Sequence, residues 1–250
     1  MDSIAKYFSQ AEAFPPEIFS SLIVVLILII ICIIVRIKSI HVNPLEKPKG
    51  IMLLAEMFVS FFDNTVKNNM GRQFVKWFTP ILGSMAAYLF FGFIIGLIGL
   101  PSPVLFFVVP LTLGFITFVT LHITNAFYLR WKYFKRYVEP FPFFLPINLI
   151  SMWAPLLSLS FRLFGNALAG WIILQIVYGT FSIMQIGAAN LGFLAVVITP
   201  ILHAYFDLFS AFIQTTVFVM LTMLLVNNEI PDEYQKLGDE PIKSSPLIQK

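Results

Sequence analysis

The sequence predicts an all-α polytopic membrane protein with about five transmembrane helices, one cytoplasmic interfacial amphipathic helix, and a last pair of long, tilted helices. Of its 250 residues, 58% are hydrophobic and 12% are charged, whereas a soluble domain is about 25% charged. Apolar runs recur along the chain, and spans of about 20 residues each leave no room for a separate soluble domain. The expected organisation is therefore a single membrane domain covering residues 1–250.

The first predicted span covers residues 18–36. Three acidic residues and one lysine precede it, and Arg36 and Lys38 stand at its end. Because basic residues favour the cytoplasmic side of a membrane, the N-terminus is expected outside. An acidic leader and a run that ends in basic residues also favour a retained helix over a cleaved signal peptide.

The segment 50–76 has a different pattern. Apolar residues recur at helical spacing, and polar or charged residues fall on the opposite face. The apolar set is Leu53, Leu54, Met57, Phe58 and Phe61, and the polar set is Glu56, Ser60, Asp63 and Lys67. This pattern predicts a helix that lies in the cytoplasmic interface of the membrane and does not cross it.

Two further spans are predicted at residues 77–100 and 104–129. The uncharged turn Pro101-Ser-Pro103 separates them, and the spacing of Gly92 and Gly96 allows a neighbouring helix to approach closely. The basic residues after the second of these spans are Arg130, Lys132, Lys135 and Arg136. They indicate that the chain has returned to the cytoplasm.

The last two predicted helices cover residues 147–178 and 191–226. A segment rich in proline and aromatic residues, from Glu139 to Pro146, precedes them and is expected at the headgroup level. An uncharged loop joins the two helices, and a cytoplasmic tail at residues 227–250 follows them. With basic residues in the inner loops only, the topology is N-outside and C-inside. No internal repeat typical of many secondary transporters is present in the sequence.

Arg162 and Asp207 are the only Asp, Glu, Lys or Arg residues between Glu139 and Glu229. An ionisable group within a membrane span costs a few kcal/mol and usually has a function, and arginine cannot lose its proton to avoid this cost. Gln185 is the expected midpoint of the loop between the two helices. Arg162 lies 23 residues before it and Asp207 lies 22 residues after it, so similar depths in the membrane are predicted.

Each of these two charges belongs to a polar stripe at helical spacing. The first stripe is Ser158, Arg162 and Asn166, with Ala169 and Gly170 continuing the same face, and the second is Thr199, His203, Asp207, Ser210 and Gln214. A carboxylate, an imidazole and a guanidinium at similar depth can carry a proton along a hydrated path and stop its direct passage. The alternative is structural. Arg162 and Asp207 then form an ion pair between packed helices, and His203, Asn166 and Gln214 serve as interhelical hydrogen-bonding residues.

Three motifs in the C-terminal part of the chain carry a resemblance to a known family. They are Pro146-Ile-Asn148, Ser158-Leu-Ser-Phe-Arg162-Leu-Phe-Gly-Asn166 with Ala169-Gly170, and Tyr205-Phe-Asp207-Leu-Phe-Ser210 with Gln214. At these residues the chain resembles the a subunit of F-type rotary ATP synthases, the stator protein that faces the rotating ring of c subunits. The resemblance implies that Arg162 faces a ring carboxylate with Gln214 nearby, and that Asp207 belongs to an aqueous half-channel. Many family members carry Glu or His where this chain has Trp171, and a carboxylate about where it has Ser151.

The function implied by the resemblance is that of a membrane-embedded stator subunit. Its half-channels and an essential arginine would move protons past the c-ring, coupled to ATP synthesis or hydrolysis in a soluble head. The implied partners are the c-subunit ring, the peripheral-stalk b subunits, the remaining ATP synthase subunits and the lipid bilayer. A bacterial plasma membrane is the expected location, with an organelle inner membrane as the alternative.

No cofactor, metal or nucleic acid is expected as a ligand. The chain has no glycine-rich phosphate loop, and its lone Cys32 cannot form a cysteine metal cluster. Two other classes of function remain open on the residues alone. One is a stand-alone ion channel or secondary transporter that uses an Arg162–Asp207 pair, and the other is an intramembrane enzyme, for which His203 and Asp207 lack an obvious third ligand.

Overall fold

A computed structural model describes residues 16–40, 48–129, 143, 145–183, 185–186, 189–190 and 193–228. These residues are almost entirely helical, which confirms the predicted all-α fold. The helices are α1 (Pro16–Ile40), α2 (Ile51–Met70), α3 (Arg72–Ile94), α4 (Val108–Leu129), α5 (Leu145–Ile183), α6 (Phe193–His203) and α7 (Ser210–Asn228). Of the predicted headgroup segment, Leu145 and Pro146 form the start of α5, whereas residues 139–142 and 144 lie outside the described residues, as does the predicted tail from residue 229 onward.

Within the described ranges, five helical segments are long and apolar enough to cross a membrane. They are Ile18–Ile40, Arg72–Ile98, Val108–Ala126, Pro146–Phe181 and Ile198–Asn228. These segments correspond to the five predicted spans. The fifth is assembled from α6, a π-helical turn (Ala204–Phe209) and α7, which follow one another without a break.

The boundary between the predicted interfacial helix and the next span lies earlier than the sequence pattern indicates. Gly71 has a φ of 97°, a conformation that favours glycine. α2 therefore ends at Met70 and α3 begins at Arg72, so the predicted boundary between residues 76 and 77 is corrected. Apolar residues continue on both sides of Gly71, and their spacing does not reveal the change in backbone direction.

Beyond Gly71, α2 and α3 pack against each other. The buried residues that join them are Phe62, Val66, Met70, Phe74 and Phe78. Farther from the turn, a Cβ atom at Gly83 would lie 3.6 Å from the ring of Phe58. The predicted apolar set of α2, from Leu53 to Phe61, remains exposed. The position of α2 in the membrane interface stays a prediction.

A second cluster of buried residues joins α3, α4, α5 and α7, and it holds α5 and α7 in place. Its members are Met85, Leu89, Phe93, Val104, Leu113, Leu159, Leu163, Ala211 and Phe218. Burying a large apolar side chain contributes about 1.5–3 kcal/mol when water is the alternative. The packing of this cluster turns one side of α5 inward and leaves the opposite side exposed.

α4 and α5 approach each other closely at Gly114. A Cβ atom at this position would lie 2.5 Å from Ser160 Oγ and 3.1 Å from the carbonyl oxygen of Leu156, so a larger residue does not fit without a shift of α5. The buried hydroxyl of Ser160 donates to the Leu156 carbonyl at 2.8 Å and lies 3.2 Å from the carbonyl oxygen of Pro110. The contact fixes α5 at the centre of the bundle.

The α3–α4 and α5–α6 connections are short. α3 continues into a 3₁₀ turn (Ile95–Ile98), and Ser102 donates a hydrogen bond to the carbonyl oxygen of Gly92 at 2.7 Å. α5 and α6 are joined through two short antiparallel strands, β1 (Gln185–Ile186) and β2 (Ala189–Asn190), in which Ile186 pairs with Ala189. The centre of this connection therefore lies between residues 187 and 188, beyond the predicted midpoint at Gln185.

Candidate functional site

A polar cleft of about 390 Å³ lies at the end of the bundle where α5 ends and α6 begins. Its walls come from the α3–α4 connection, α5 and the last helix. The polar side chains that line it include Ser102, Gln175, Tyr178, His203 and Asp207. Among the described lining residues, only Tyr178, His203 and Asp207 are titratable.

His203 links the other two titratable residues of the cleft. Its Nε2 atom lies 2.5 Å from Tyr178 Oη, and its Nδ1 atom lies 2.5 Å from Asp207 Oδ2. The His203–Asp207 contact follows from their spacing of one helical turn, as the sequence predicts, whereas Tyr178 reaches them from α5. The side chains of His203 and Asp207 are 25% and 18% exposed. Together the three residues form a continuous hydrogen-bonded chain, which we call the relay.

Two glycines let the neighbouring elements come close to the relay. A Cβ atom at Gly96 would lie 3.3 Å from Asp207 Cγ and 3.4 Å from each carboxylate oxygen. A Cβ atom at Gly170 would lie 3.1 Å from Cδ1 of Phe206. The small-residue motif predicted from Gly92 and Gly96 thus has a defined role, since Gly96 makes room for the carboxylate of the last helix.

The contact between Gly170 and Phe206 corrects the predicted depth of Asp207. On antiparallel helices, eight residues back from Gly170 lead to Arg162, and eight residues forward from Phe206 lead to Gln214. Arg162 is therefore about level with Gln214, while Asp207 is about level with Gly170, roughly 12 Å away along α5 at 1.5 Å per residue. The prediction of similar depths was wrong because the connection between the helices is centred beyond Gln185.

The π-helical turn changes the predicted stripe on the last helix. Asp207 lies inside this turn, and i→i+5 bonding in a π-turn shifts the faces of the helix that follow it relative to an uninterrupted α-helix. Ser210 and Gln214 come after the shift and do not line the cleft with His203 and Asp207. The buried Oε1 atom of Gln214 has no hydrogen-bond partner among the described residues. The five residues of the predicted stripe therefore do not form one continuous polar surface.

Arg162 lies on the exposed side of α5. Ser158, Asn166 and Ala169 are exposed with it at helical spacing, in agreement with the predicted stripe, whereas Gly170 is buried against Phe206 and does not belong to this face. Within the described part of the chain, Arg162 forms no ion pair, and the carboxylate of Asp207 pairs with His203 instead. The structural alternative, an Arg162–Asp207 ion pair, is therefore not the observed arrangement.

A second cavity, of about 210 Å³, lies at the other end of the bundle between α4, α5 and α7. Its polar lining includes His122, Asn125, Asn148 and Ser151. The Nδ1 atom of His122 lies 2.8 Å from the carbonyl oxygen of Phe118, so this nitrogen carries a hydrogen and donates to it. The sequence pattern does not predict that His122 and Ser151 line one cavity, because the two residues are on different helices.

The two cavities approach each other along α5 without meeting. The residues of α5 that line the second cavity extend to Leu159, and those that line the cleft begin at Ala167. Eight residues correspond to about 12 Å of helix. Arg162 lies within this interval on the exposed side of α5, so its level along the helix is between those of the two cavities.

Sequence reasoning missed Tyr178, Gln175 and Ser102 as site residues. A signal existed for the first two, since Gln175 and Tyr178 are polar and three residues apart near the end of an otherwise apolar helix. Ser102 has no such signal, because its place in the cleft depends on the path of the α3–α4 connection. Among the described residues, no group of three or more His, Cys, Asp or Glu side chains is arranged to hold a metal ion.

Comparison with known proteins gives consistent matches. A family model described as ATP synthase A chain matches residues 18–227. The chain is 30% identical over 225 residues to the ATP synthase subunit a of Mycoplasma pneumoniae, which covers 82% of this chain and 76% of that protein. It is 33% identical over 174 residues to the ATP synthase subunit a of Desulfotalea psychrophila, with 68% and 67% covered.

A third similarity concerns a relative with a named ion. The chain is 39% identical over 100 residues to the sodium ion specific ATP synthase subunit a of Propionigenium modestum. This match covers 40% of the chain and 30% of that protein.

Proposed function

Because the chain belongs to the ATP synthase A chain family, we propose that it is the membrane-embedded stator subunit that moves protons past a ring of c subunits. Membership in this family implies a multi-pass membrane protein that assembles with other ATP synthase subunits. The proton path, the role of Arg162, and contacts with the c-ring and the b subunits are the finer parts of the proposal.

The exposed guanidinium of Arg162 carries this proposal. It stands on the outer side of a membrane helix, with the apolar side chain of Phe161 exposed beside it, and has no acidic partner within the described part of the chain. A charge in such surroundings costs several kcal/mol unless another group compensates it. A carboxylate on a neighbouring subunit of the ring would supply that compensation.

The two cavities support the other half of the proposal. In the proposed mechanism, the cleft with the relay admits protons from one side of the membrane, and the second cavity releases them to the other. A proton crosses between them only on the ring carboxylate, which passes Arg162 as the ring turns. The fixed positive charge repels a free proton and attracts the ionised ring carboxylate, so ion flow and rotation are coupled.

Gln214 has a supporting part in this mechanism. It is about level with Arg162, and its Oε1 atom is without a hydrogen-bond partner among the described residues. A buried amide oxygen without a donor costs about 1–3 kcal/mol. Because this atom is buried within the chain, the side chain of Gln214 would have to change its rotamer to meet a donor or a protonated carboxyl of the ring. Asn166, one turn from Arg162 on the exposed side, is proposed to face the ring in the same way.

The orientation is also a proposal. We place the N-terminus outside and the C-terminus in the cytoplasm of a bacterial plasma membrane, since the basic residues follow the positive-inside rule and the relatives named above are bacterial. The native Cys32 is exposed, so the test begins from a Cys32→Ser background. Single cysteines at Ile98 and Lys49 should then react with impermeant reagents from opposite sides, and reaction of both from the outside would contradict this topology.

The decisive experiment replaces Arg162 in the assembled complex. Arg162→Ala should abolish ATP synthesis driven by an imposed gradient and should make reconstituted vesicles leak protons, because the barrier between the cavities is lost. Arg36→Ala, which removes an exposed arginine from α1, is the matched control and should retain both coupling and tightness. Normal coupled synthesis by an intact Arg162→Ala complex would overturn the proposal.

A further inference from the structure

We propose that Tyr178 is the outermost member of a three-residue proton relay, in which its hydroxyl delivers protons to Asp207 through the imidazole of His203. The inference rests on the proposed function, because it assigns one residue to the path by which protons enter the cleft. Tyr178 is part of neither of the polar stripes that the sequence contains. Its assignment follows from the distances on both sides of His203.

The two contacts of His203 use both of its ring nitrogens. A neutral imidazole has one nitrogen that donates and one that accepts. With Asp207 ionised, Nδ1–H donates to the carboxylate, so Nε2 accepts from the hydroxyl of Tyr178. With Asp207 protonated, the carboxyl donates to Nδ1 and the Nε2–H donates to Tyr178 Oη. The same atoms therefore form a complete hydrogen-bonded chain in both protonation states of Asp207.

Transfer along the relay balances without another reactant. A proton from cleft water binds Tyr178 Oη as the hydroxyl proton passes to Nε2, and the Nδ1 proton passes to Asp207. The net change is uptake of one proton by the carboxylate and a change of tautomer at His203. After Asp207 passes its proton onward, the imidazole returns to the first tautomer by exchanging protons with water, for which a polar cleft of about 390 Å³ is large enough.

The residues around the relay do not provide a second titratable path through the cleft. The carboxylate of Asp207 is covered by Gly96 on the side of α3 and is capped by His203 on its own helix. From α5 the cleft receives Tyr178, together with Gln175 and Trp171. The amide of Gln175 does not titrate, and the indole of Trp171 only donates. Ser102 also lines the cleft, but its hydroxyl donates to the carbonyl oxygen of Gly92. Among the described lining residues, only Tyr178 and Asp207 hydrogen-bond to His203.

The relay also implies that the transported ion is a proton and not a sodium ion. An imidazole transmits a proton by binding one proton at one nitrogen and releasing another from the second nitrogen. It cannot transmit a sodium ion in this way. The hydroxyl of Tyr178 would thus matter for proton flux and not for sodium flux. This distinction is useful because one relative is named as sodium ion specific.

The test uses Tyr178→Phe in the complete complex, reconstituted into vesicles. The substitution keeps the ring and removes only the hydroxyl. Proton flux should fall about tenfold, since the net contribution of one hydrogen bond corresponds to roughly this factor in rate. The control is Tyr88→Phe, which removes a hydroxyl that lies 2.7 Å from Ser21 Oγ, far from the cleft, and it should change the flux less than about twofold.

A double-mutant cycle separates the relay from a packing role. When Asp207→Asn is already present, Tyr178→Phe should cause almost no further loss of flux, because both residues act on one path. The relay would be overturned if the losses of flux from Tyr178→Phe and Asp207→Asn multiplied in the double mutant. Normal proton flux in Tyr178→Phe would also overturn it. So would a wild-type complex that transports sodium ions at constant pH. If Tyr178→Phe is normal while Arg162→Ala uncouples the complex, the relay fails and the proposed function stands. If Arg162→Ala stays coupled, the proposed function fails as well.

Discussion

The inward side of α5 and its outward side differ in whether the chain itself satisfies their polar groups. On the inward side, Tyr178 hydrogen-bonds to His203 and His203 hydrogen-bonds to Asp207, so the three side chains form one hydrogen-bonded chain. On the outward side, Arg162 lies exposed without an acidic partner among the described residues. The difference teaches that the chain completes the hydrogen bonds of the cleft by itself, whereas the arginine face, in the function proposed above, would be completed by another subunit.

The largest effect that tests this comparison is expected from Asp207→Asn. The amide cannot carry the proton that His203 delivers, so proton flux through the reconstituted complex should fall about 100-fold, at the lower end of what positioned acid–base groups contribute. Assembly should be preserved, because the amide still accepts a hydrogen bond from His203.

The matched control for this substitution is Glu56→Gln on the exposed side of α2, which should leave the flux unchanged. Flux at the wild-type rate in Asp207→Asn would mean that the cleft is not on the proton path. A complex that fails to assemble would instead show that the relay is needed for packing.

A pair of glycine substitutions of intermediate effect compares the two sides of α5 directly. Gly170→Ala places a methyl group 3.1 Å from Phe206, so the isolated chain should lose about 1 kcal/mol of stability. Gly165→Ala meets no atom of the chain within 4 Å and should gain up to about 1 kcal/mol, since alanine favours a helix. Thermal unfolding in detergent, followed by circular dichroism, measures both.

In the complete complex the ranking of these two variants should reverse. Gly165 is exposed beside Arg162, where the ring is proposed to pass, so the added methyl group should lower coupled ATP synthesis more than the one at Gly170 does. Gly165→Ala with unchanged synthesis would indicate that no subunit packs against the arginine face at this level.

The smallest effect on the isolated chain is expected from Gln214→Met. The side chain keeps its length and loses the amide oxygen that has no partner among the described residues. Stability should therefore stay the same or rise by up to about 1 kcal/mol. In the assembled complex, coupled synthesis should decline, and a normal rate would remove Gln214 from the arginine site.

The helices and the charged candidate site residues can be predicted from the sequence because both depend on local properties. Long apolar runs mark the spans, and a single arginine within such a run stands out at Arg162. The boundary at Gly71 was missed because it depends on a backbone angle of one residue. The π-helical turn around Asp207 was also missed, since it leaves the apolar pattern intact while it shifts the residues that follow it.

The relay was only half predictable for a different reason. His203 and Asp207 are four residues apart on one helix, so their contact is encoded in local spacing. Tyr178 and Gly96 reach Asp207 from elements distant in sequence, and their positions depend on how the helices pack. The error in the depth of Asp207 has the same origin, because the level at which two helices meet depends on the shape of the connection between them.

The interval of eight residues between Leu159 and Ala167 has an electrical consequence. With both cavities hydrated, the membrane voltage falls mainly across this stretch of about 12 Å of helix instead of across an apolar core of about 30 Å. The same voltage then produces a field about two and a half times stronger around Arg162. A potential of 100 mV gives each elementary charge about 2.3 kcal/mol, and in the proposed mechanism nearly all of that energy would act at the level of Arg162, where the ionised ring carboxylate passes.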